Sequence, residues 1–383
     1  MPTPFDTQMM SRALQLARRG QYSAMPNPHV GCVLVREGLV IGEGFTCPAG
    51  GNHAEVEALN AAGDATGTTA YVTLEPCSHH GKTGPCAEAL RVVVAMTDPN
   101  PLVAGQGVAK LRAAGIDVEC GLLEHEARAV IPGYIARMTR GRGRVRAKLA
   151  MSLDGRTAMA SGESQWITGP AARQDVQRLR AMSCAIVTGV GTVLADDCAL
   201  TVRTAELGLA PEAAQLAAGR QPLRVVLDSG LRTPPGAKVL DGSAPTVLCH
   251  DRTVTAPPAI LASGAERLAL RRDEAGLDLV ELMNFLAAQQ CNEILVESGP
   301  RLAGALLQGQ TGALPPSRTR RTRFQIRTRV NEKALCSQEL SRPSAASPRC
   351  RSEEAICACA SIPASCRWMT SRWATACAPM ACA

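Results

Sequence analysis

Apolar residues recur at helical spacing near the start of the chain. Met9, Met10, Ala13, Leu14 and Ala17 fall on one face of a helix expected over Gln8–Arg18, which Gly20 ends. The pattern then shifts to short β-rich runs. Val30–Val35 and Leu39–Ile41 read as strands joined around Glu37-Gly38, a hairpin. His53–Ala62 is rich in strong helix formers and stops at Gly63. Ala70–Leu74 is a further strand. Pro85 suits the first turn of a helix over Cys86–Val94, while Arg91–Ala95 taken by itself reads as a buried strand. Gly107–Ala114 is expected as a helix, Ile116–Glu119 as a strand, and His125–Ala136 as a helix interrupted at Pro132-Gly133. Strands alternating with helices predict a three-layer α/β/α sheet. Beyond the basic, glycine-rich Arg140–Arg146, strands over Ala185–Thr188 and Glu293–Val296 run into Gly189-Val190-Gly191 and Gly299, where backbone amides can approach a phosphate.

Composition narrows the classes. The 383 residues suffice for two domains, and the formal charge is +7. That charge is local: residues 310–383 hold 12 Lys and Arg against 4 Asp and Glu, which leaves residues 1–309 at net −1. The body therefore lacks the basic signature of a nucleic-acid binder. No apolar run reaches the roughly 18 residues of a membrane span. The N-terminal Met-Pro-Thr-Pro-Phe-Asp has none of the regions of a signal peptide. A cytoplasmic, reducing setting is expected, so the 16 cysteines are not read as a disulfide framework.

The chemistry concentrates between His53 and Cys86. One imidazole, His53, and two thiols, Cys77 and Cys86, make the ligand set of a catalytic zinc that keeps its fourth position for water. Glu55, two residues after the histidine, would move protons on that water. His-Ala-Glu followed by Pro-Cys and a second cysteine is the zinc deaminase signature. A closed structural zinc, with His79 or His80 as fourth ligand, is the competing reading. Closed sites favour compact Cys-x-x-Cys pairs, and these two cysteines are nine apart.

Pro26-Asn27-Pro28-x-Val30-Gly31, His53-Ala54-Glu55 and the run from Thr73 to Cys86 resemble the deaminase domain of the bifunctional riboflavin-biosynthesis deaminase/reductase family. The resemblance implies a cytidine-deaminase-like fold over residues 1–146, one Zn2+ per chain, and Asn27, His79 and Lys82 as substrate contacts. The implied substrate is 2,5-diamino-6-(5-phosphoribosylamino)pyrimidin-4(3H)-one, a small molecule that loses its ring amino group as ammonia. Neither nucleic acid nor membrane is expected as a partner, and a homo-oligomer is compatible with the sequence.

A second series runs from Lys148-Leu-Ala-Met-Ser-Leu-Asp-Gly through Gly162–Thr168, Arg173–Arg180, Ala185–Asp197, Leu200–Arg203 and Leu223–Ser229 to Glu293–Pro300. It resembles the reductase domain of the same family, an α/β fold similar to dihydrofolate reductase, over residues 147–309. NADPH would contact Ala150, Trp166, Thr192, Asp196, Ser229 and the segment Gly299, Pro300, Arg301, Leu302, Ala303, Gly304 and Ala305. Substrate would contact Lys148, Ser164, Arg180, Leu200, Arg203 and Glu297, with Arg180 and Arg203 suited to a phosphate. The resemblance stops after Gly309. Only eight of residues 310–383 are Val, Ile, Leu or Phe, and no periodicity persists. Seven cysteines lie there without a histidine and at spacings that fit no zinc module. Out-of-frame translation near Gly309 explains such a tail, and the reductase is expected to be incomplete and its step impaired. One alternative, a nucleoside or tRNA deaminase with an unrelated C-terminal appendage, leaves the series from Lys148 to Gly299 unexplained. Another, a non-enzymatic zinc module with an RNA-binding tail, leaves Glu55 without a purpose.

Overall fold

The computed structural model describes residues 2–76, 89–152, 156–158 and 168–312, the last six of these by backbone alone. Helix α1 (Pro4–Arg19) begins at a capping box in which Thr3 and Asp6 satisfy each other's backbone amides, and ends on Arg18 and Arg19. Strands β1 (Gly31–Arg36) and β2 (Leu39–Phe45) pair antiparallel. Glu37 and Gly38 both take positive φ at their turn, the geometry that matches the twist of a hairpin. Helix α2 (Ala54–Ala62), β3 (Thr69–Val72), β4 (Arg91–Val94), α3 (Gln106–Ala113) and β5 (Asp117–Cys120) follow. The five strands lie in the order β2-β1-β3-β4-β5, the last three parallel. The helix expected over Cys86–Val94 does not hold at its C-terminal end. Arg91–Val94 is β4, because three successive valines buried inside the sheet favour extended backbone. The helix expected over His125–Ala136 divides at Ile131 into α4 (Glu124–Val130) and α5 (Pro132–Arg140), as the missing proline N–H requires.

Glycines set how closely the helices sit on this sheet. A Cβ at Gly31 would stand 2.0 Å from Ala13 O on α1. On β2, a Cβ at Gly42 would stand 2.2 Å from Ala58 O, and one at Gly44 2.2 Å from Ala54 O. Helix α2 therefore rests directly on the β2 backbone. A buried ion network ties the layers together. Asp6, 2% exposed, accepts from Tyr71 Oη at 2.7 Å and Arg91 Nη1 at 2.7 Å, and Arg91 Nη2 reaches Glu119 at 2.6 Å. Burial works against the Asp6 charge, but these donors and Thr3 outweigh it and hold the carboxyl well below its usual range. Asp6→Ala is expected to cost about 1.5–3 kcal/mol in urea unfolding at neutral pH. A depressed carboxyl stabilises above its unfolded pKa, so the deficit should shrink as pH falls below the ordinary value of 3.8.

The second sheet contains β6 (Arg144–Lys148), β7 (Ala185–Gly189), β8 (Leu223–Leu227), β9 (Thr246–Asp251), β10 (Glu266–Leu270) and, after a two-residue ribbon β11 (Arg272–Asp273) and β12 (Gly276–Leu277), β13 (Glu293–Glu297). Its order is β10-β9-β8-β7-β13-β6 and every pairing is parallel. Helices α6 (Pro170–Ala181), α7 (Val190–Asp196), α8 (Pro211–Ala218), α9 (Pro258–Ala262), α10 (Leu279–Ala288) and α11 (Pro300–Gly312) connect or follow the strands. Both faces are covered. Val187, Val225, Val247 and Val296 enter one apolar cluster, and Ile186, Val226, Leu248 and Leu295 enter the other. This explains the near-continuous apolar strands. Among the described residues β6 forms one edge of the sheet.

Candidate functional site

His53 is the N-cap of α2, with extended backbone, and Glu55 lies in the first helical turn. The close seat of α2 on Gly42 and Gly44 puts that turn inside the protein, and Glu55 is 6% exposed. Burial pushes the Glu55 carboxyl up, and its own amide and the nearby His53 only partly offset this. A buried carboxyl two residues from an imidazole is the kind of group that passes protons in general acid–base chemistry. The other two candidate zinc ligands, Cys77 and Cys86, lie outside the described residues, as do His79 and Lys82. The described residues supply one nitrogen donor of the expected zinc set, the imidazole at the helix cap, and the buried acid two residues on.

The approach to Cys77 is held by a residue whose role the sequence did not signal. Glu75, 2% exposed, accepts from Asp98 N at 3.0 Å, Gly105 N at 2.9 Å and Val108 N at 3.1 Å. Two of these amides belong to the start of α3, where a carboxylate complements the helix dipole. Gly107 packs so closely that a Cβ would stand 2.2 Å from Pro76 O. Asn27 sits in the loop ahead of β1 and lines a small cavity with His29, Tyr134 and Asn292. His29 is half-buried, and its Nε2 lies 2.7 Å from Val130 O. Burial drops its pKa to about 4, so the ring is neutral and donates.

In the second domain, parallel pairing brings together residues far apart in sequence. Lys148, at the end of β6, pairs in register with Glu297, at the end of β13. Glu297 takes a bidentate grip from Arg180, Nε at 2.6 Å and Nη2 at 3.0 Å, and Arg180 Nη1 donates to Thr201 O at 3.0 Å. Burial opposes the Glu297 charge, but Arg180, Lys148 and Arg203 together hold its carboxyl below the usual range. The guanidinium fork expected to meet a phosphate here meets Glu297. Arg203 is the solvent-facing arginine of the pair, with its own contact to Glu206 at 2.7 Å. Leu200, buried and at φ 53°, turns the chain into Thr201.

The candidate NADPH residues gather at strand ends. Gly189 ends β7 and Gly299 lies just past the neighbouring β13, and a Cβ at either would meet nothing within 4 Å, so both backbones have room for a ligand. Thr192 and Asp196 lie on α7, and Gly299 and Pro300 open α11, whose first turns also hold Arg301 to Ala305. Ala150 follows β6 and Ser229 follows β8, both half-buried. These positions lie at the carboxyl ends of parallel strands, where α/β sheets commonly take nucleotide phosphates. Trp166 and Ser164 lie outside the described residues.

Residues 3–96 match the cytidine and deoxycytidylate deaminase zinc-binding region, and residues 144–311 match the RibD C-terminal domain. The chain is 50% identical to riboflavin biosynthesis protein RibD of Escherichia coli over 313 residues, 79% of this chain and 84% of that protein. It is 46% identical to the Haemophilus influenzae RibD over 80% of this chain and 83% of that one. Acinetobacter baumannii RibD superposes with a TM-score of 0.71 at 46% identity, covering 80% of this chain and 83% of that one. A Thermotoga maritima diaminohydroxyphosphoribosylaminopyrimidine deaminase/5-amino-6-(5-phosphoribosylamino)uracil reductase gives 0.68 at 34% identity, covering 80% and 84%. With both halves matched in the same order, the chain belongs to the RibD family, bifunctional enzymes of riboflavin biosynthesis that join a zinc-dependent deaminase to an NADPH-dependent reductase.

Proposed function

We propose that this chain deaminates the phosphoribosylamino diaminopyrimidine at the first domain and reduces the ribosyl group of the product to ribityl at the second. The observation that carries the first step is Glu55, buried in the first turn of α2 two residues from His53. Zinc, which His53, Cys77 and Cys86 would hold, would supply Lewis-acid activation of water. Glu55 would carry one proton of the attacking water to the ring nitrogen as the new C–O bond forms, and then the proton of the resulting hydroxyl to the amine as the C–N bond breaks and ammonia leaves. Its burial keeps bulk water from competing for that proton. Asn27, His79 and Lys82 orient the substrate, with Lys82 suited to its phosphate.

In the second domain NADPH supplies the hydride, and the protein binds and orients. Lys148 and Glu297, adjacent across β6 and β13, face the ribose, and Arg203 meets the phosphate. The helix starts after Gly189 and Gly299 hold the cofactor phosphates, with Trp166 over its ring. The substrate is a small molecule: residues 1–309 carry a net charge of −1, which offers no broad basic surface to RNA. Among the described residues no helix is long and apolar enough to cross a membrane. The reaction is assigned to the cytoplasm, where the thiol ligands stay reduced.

The domain division proposed is 1–146, 147–309 and a foreign segment 310–383. The reductase-family match ends at residue 311, and β6 has no outer neighbour among the described residues. An open edge leaves Lys148 less firmly placed. Purified protein incubated with the diaminopyrimidine should therefore release ammonia readily while oxidising NADPH much more slowly. Failure of zinc-loaded protein to release ammonia would sink the functional reading. Equal rates of the two steps would refute the impairment. Resequencing the gene tests the frame directly: an uninterrupted frame shared by related genes would rule out a shift near Gly309.

A further inference from the structure

We propose that Asn292, a residue of the reductase domain, is a positioning residue for deamination, because it fixes the loop that carries Asn27. This rests on the reading of Asn27 as a substrate contact. The loop Met25-Pro26-Asn27-Pro28-His29 contains two prolines, so it has few backbone donors with which to anchor itself. Asn27 N reaches Ala24 O at 2.9 Å within the loop. Pro26 O, immediately before Asn27, accepts from Asn292 Nδ2 at 2.6 Å, across 266 positions of sequence. Beside it, Met25 Sδ meets Cys184 Sγ at 3.2 Å, a second contact with the reductase domain.

Asn292 is itself held on every side. It is 3% exposed, its Oδ1 accepts from Arg137 Nε at 2.7 Å, and its backbone carbonyl accepts from Arg144 N at 2.8 Å. Gly133 and Gly143 leave the slot it occupies: a Cβ at Gly133 would stand 2.4 Å from Asn292 O, and one at Gly143 2.7 Å. With the amide oxygen taken by Arg137, the side-chain NH2 can point only one way, toward Pro26. The rigid strand β13 follows at once and ends at Glu297, the candidate substrate contact of the other site. One strand thus starts beside the loop that carries Asn27 and ends at Glu297, the candidate reductase contact. Buried carboxamides with both ends satisfied are stiff supports, and small displacements of a contact residue weaken substrate binding more than they slow proton transfer at a separate carboxyl.

The test uses the zinc-loaded full chain and the variants Asn292→Asp, Asn292→Ala and Asn27→Ala. Asn292→Asp keeps the shape and the acceptor for Arg137 but removes the donor to Pro26 O. It is expected to raise the deaminase KM roughly 3- to 10-fold, with kcat and zinc content little changed and a modest fall in melting temperature. Asn292→Ala should raise KM similarly and also lower the melting temperature, since it strands Arg137. In the Asn27→Ala background, Asn292→Asp should add nothing further, as residues acting through one another do not add. A KM moved by Asn27→Ala but not by Asn292→Asp overturns the proposal alone. A KM unmoved by Asn27→Ala overturns the reading beneath it. An Asn292→Asp enzyme that loses only thermal stability shows a packing role and likewise overturns it.

Discussion

Glu55→Gln should lower ammonia release by about 10²–10⁴-fold, the usual contribution of a general acid–base group. The substitution preserves shape, and Gln sits in the same first turn of α2 without taking up or releasing a proton. The fold should not suffer. Burial disfavours the Glu55 charge, so a neutral amide removes a cost rather than a contact. Zinc content should likewise hold, because the three proposed metal ligands are unchanged. The measurement is ammonia release at saturating substrate, with metal analysis and a melting curve on the same sample. NADPH oxidation with already deaminated substrate serves as an internal control and should match the parent chain. A Glu55→Gln enzyme within tenfold of the parent would mean that the proton moves by another path, and the assignment of Glu55 would fall.

Glu297→Ala should be strongly destabilising to the second domain, at about 3–5 kcal/mol, the cost of stranding a buried charge. Arg180 is buried and has its fork on Glu297. Truncating the acid leaves Arg180 its hydrogen bond to Thr201 O and no ion pair among the described residues. Reduction should be lost with it, since Lys148 and Arg203 lose the carboxylate they share. Chemical denaturation of the parent and Glu297→Ala chains measures the effect. The pH dependence has a definite sign. The Glu297 pKa is depressed in the folded state, so its contribution is full above the ordinary value of 4.5 and is lost as pH falls through the folded value. The difference between parent and variant should accordingly be largest near neutrality and narrow in acid. Replacing both partners, Arg180→Met with Glu297→Leu, should recover much of the stability and none of the reduction. A single variant as stable as the parent would show that the pair contributes nothing to folding.

Legibility in the sequence followed the range of the interactions. The helix expected over His53–Ala62 and the observed Ala54–Ala62 differ only in that His53 caps the helix. Local propensity decides such an element, and Gly63 ends it. The hairpin at Glu37-Gly38 was legible for the same reason. Over Cys86–Val94 two local signals conflicted, proline at the start and valines at the end. Burial between β3 and β5 decided for the strand from Arg91. The contact of Lys148 with Glu297 has no local signature, because register between β6 and β13 is set by the whole parallel sheet. Glu75 and Asn292 were invisible as supports for a related reason. A glutamate before Pro76 and an asparagine before β13 look like ordinary loop residues until their distant partners, the amides of Asp98, Gly105 and Val108 and the carbonyl of Pro26, are in place.

The bare backbone of β2 beneath α2 bears on how this enzyme can be altered. Any side chain at position 42 or 44 would lift the helix that carries His53 and Glu55 off its seat. Directed-evolution libraries aimed at other amino-substituted rings should leave those two codons untouched. The outward tip at Glu37-Gly38, where an added Cβ at Gly38 meets nothing, is the place to insert an epitope or a fluorophore without disturbing turnover.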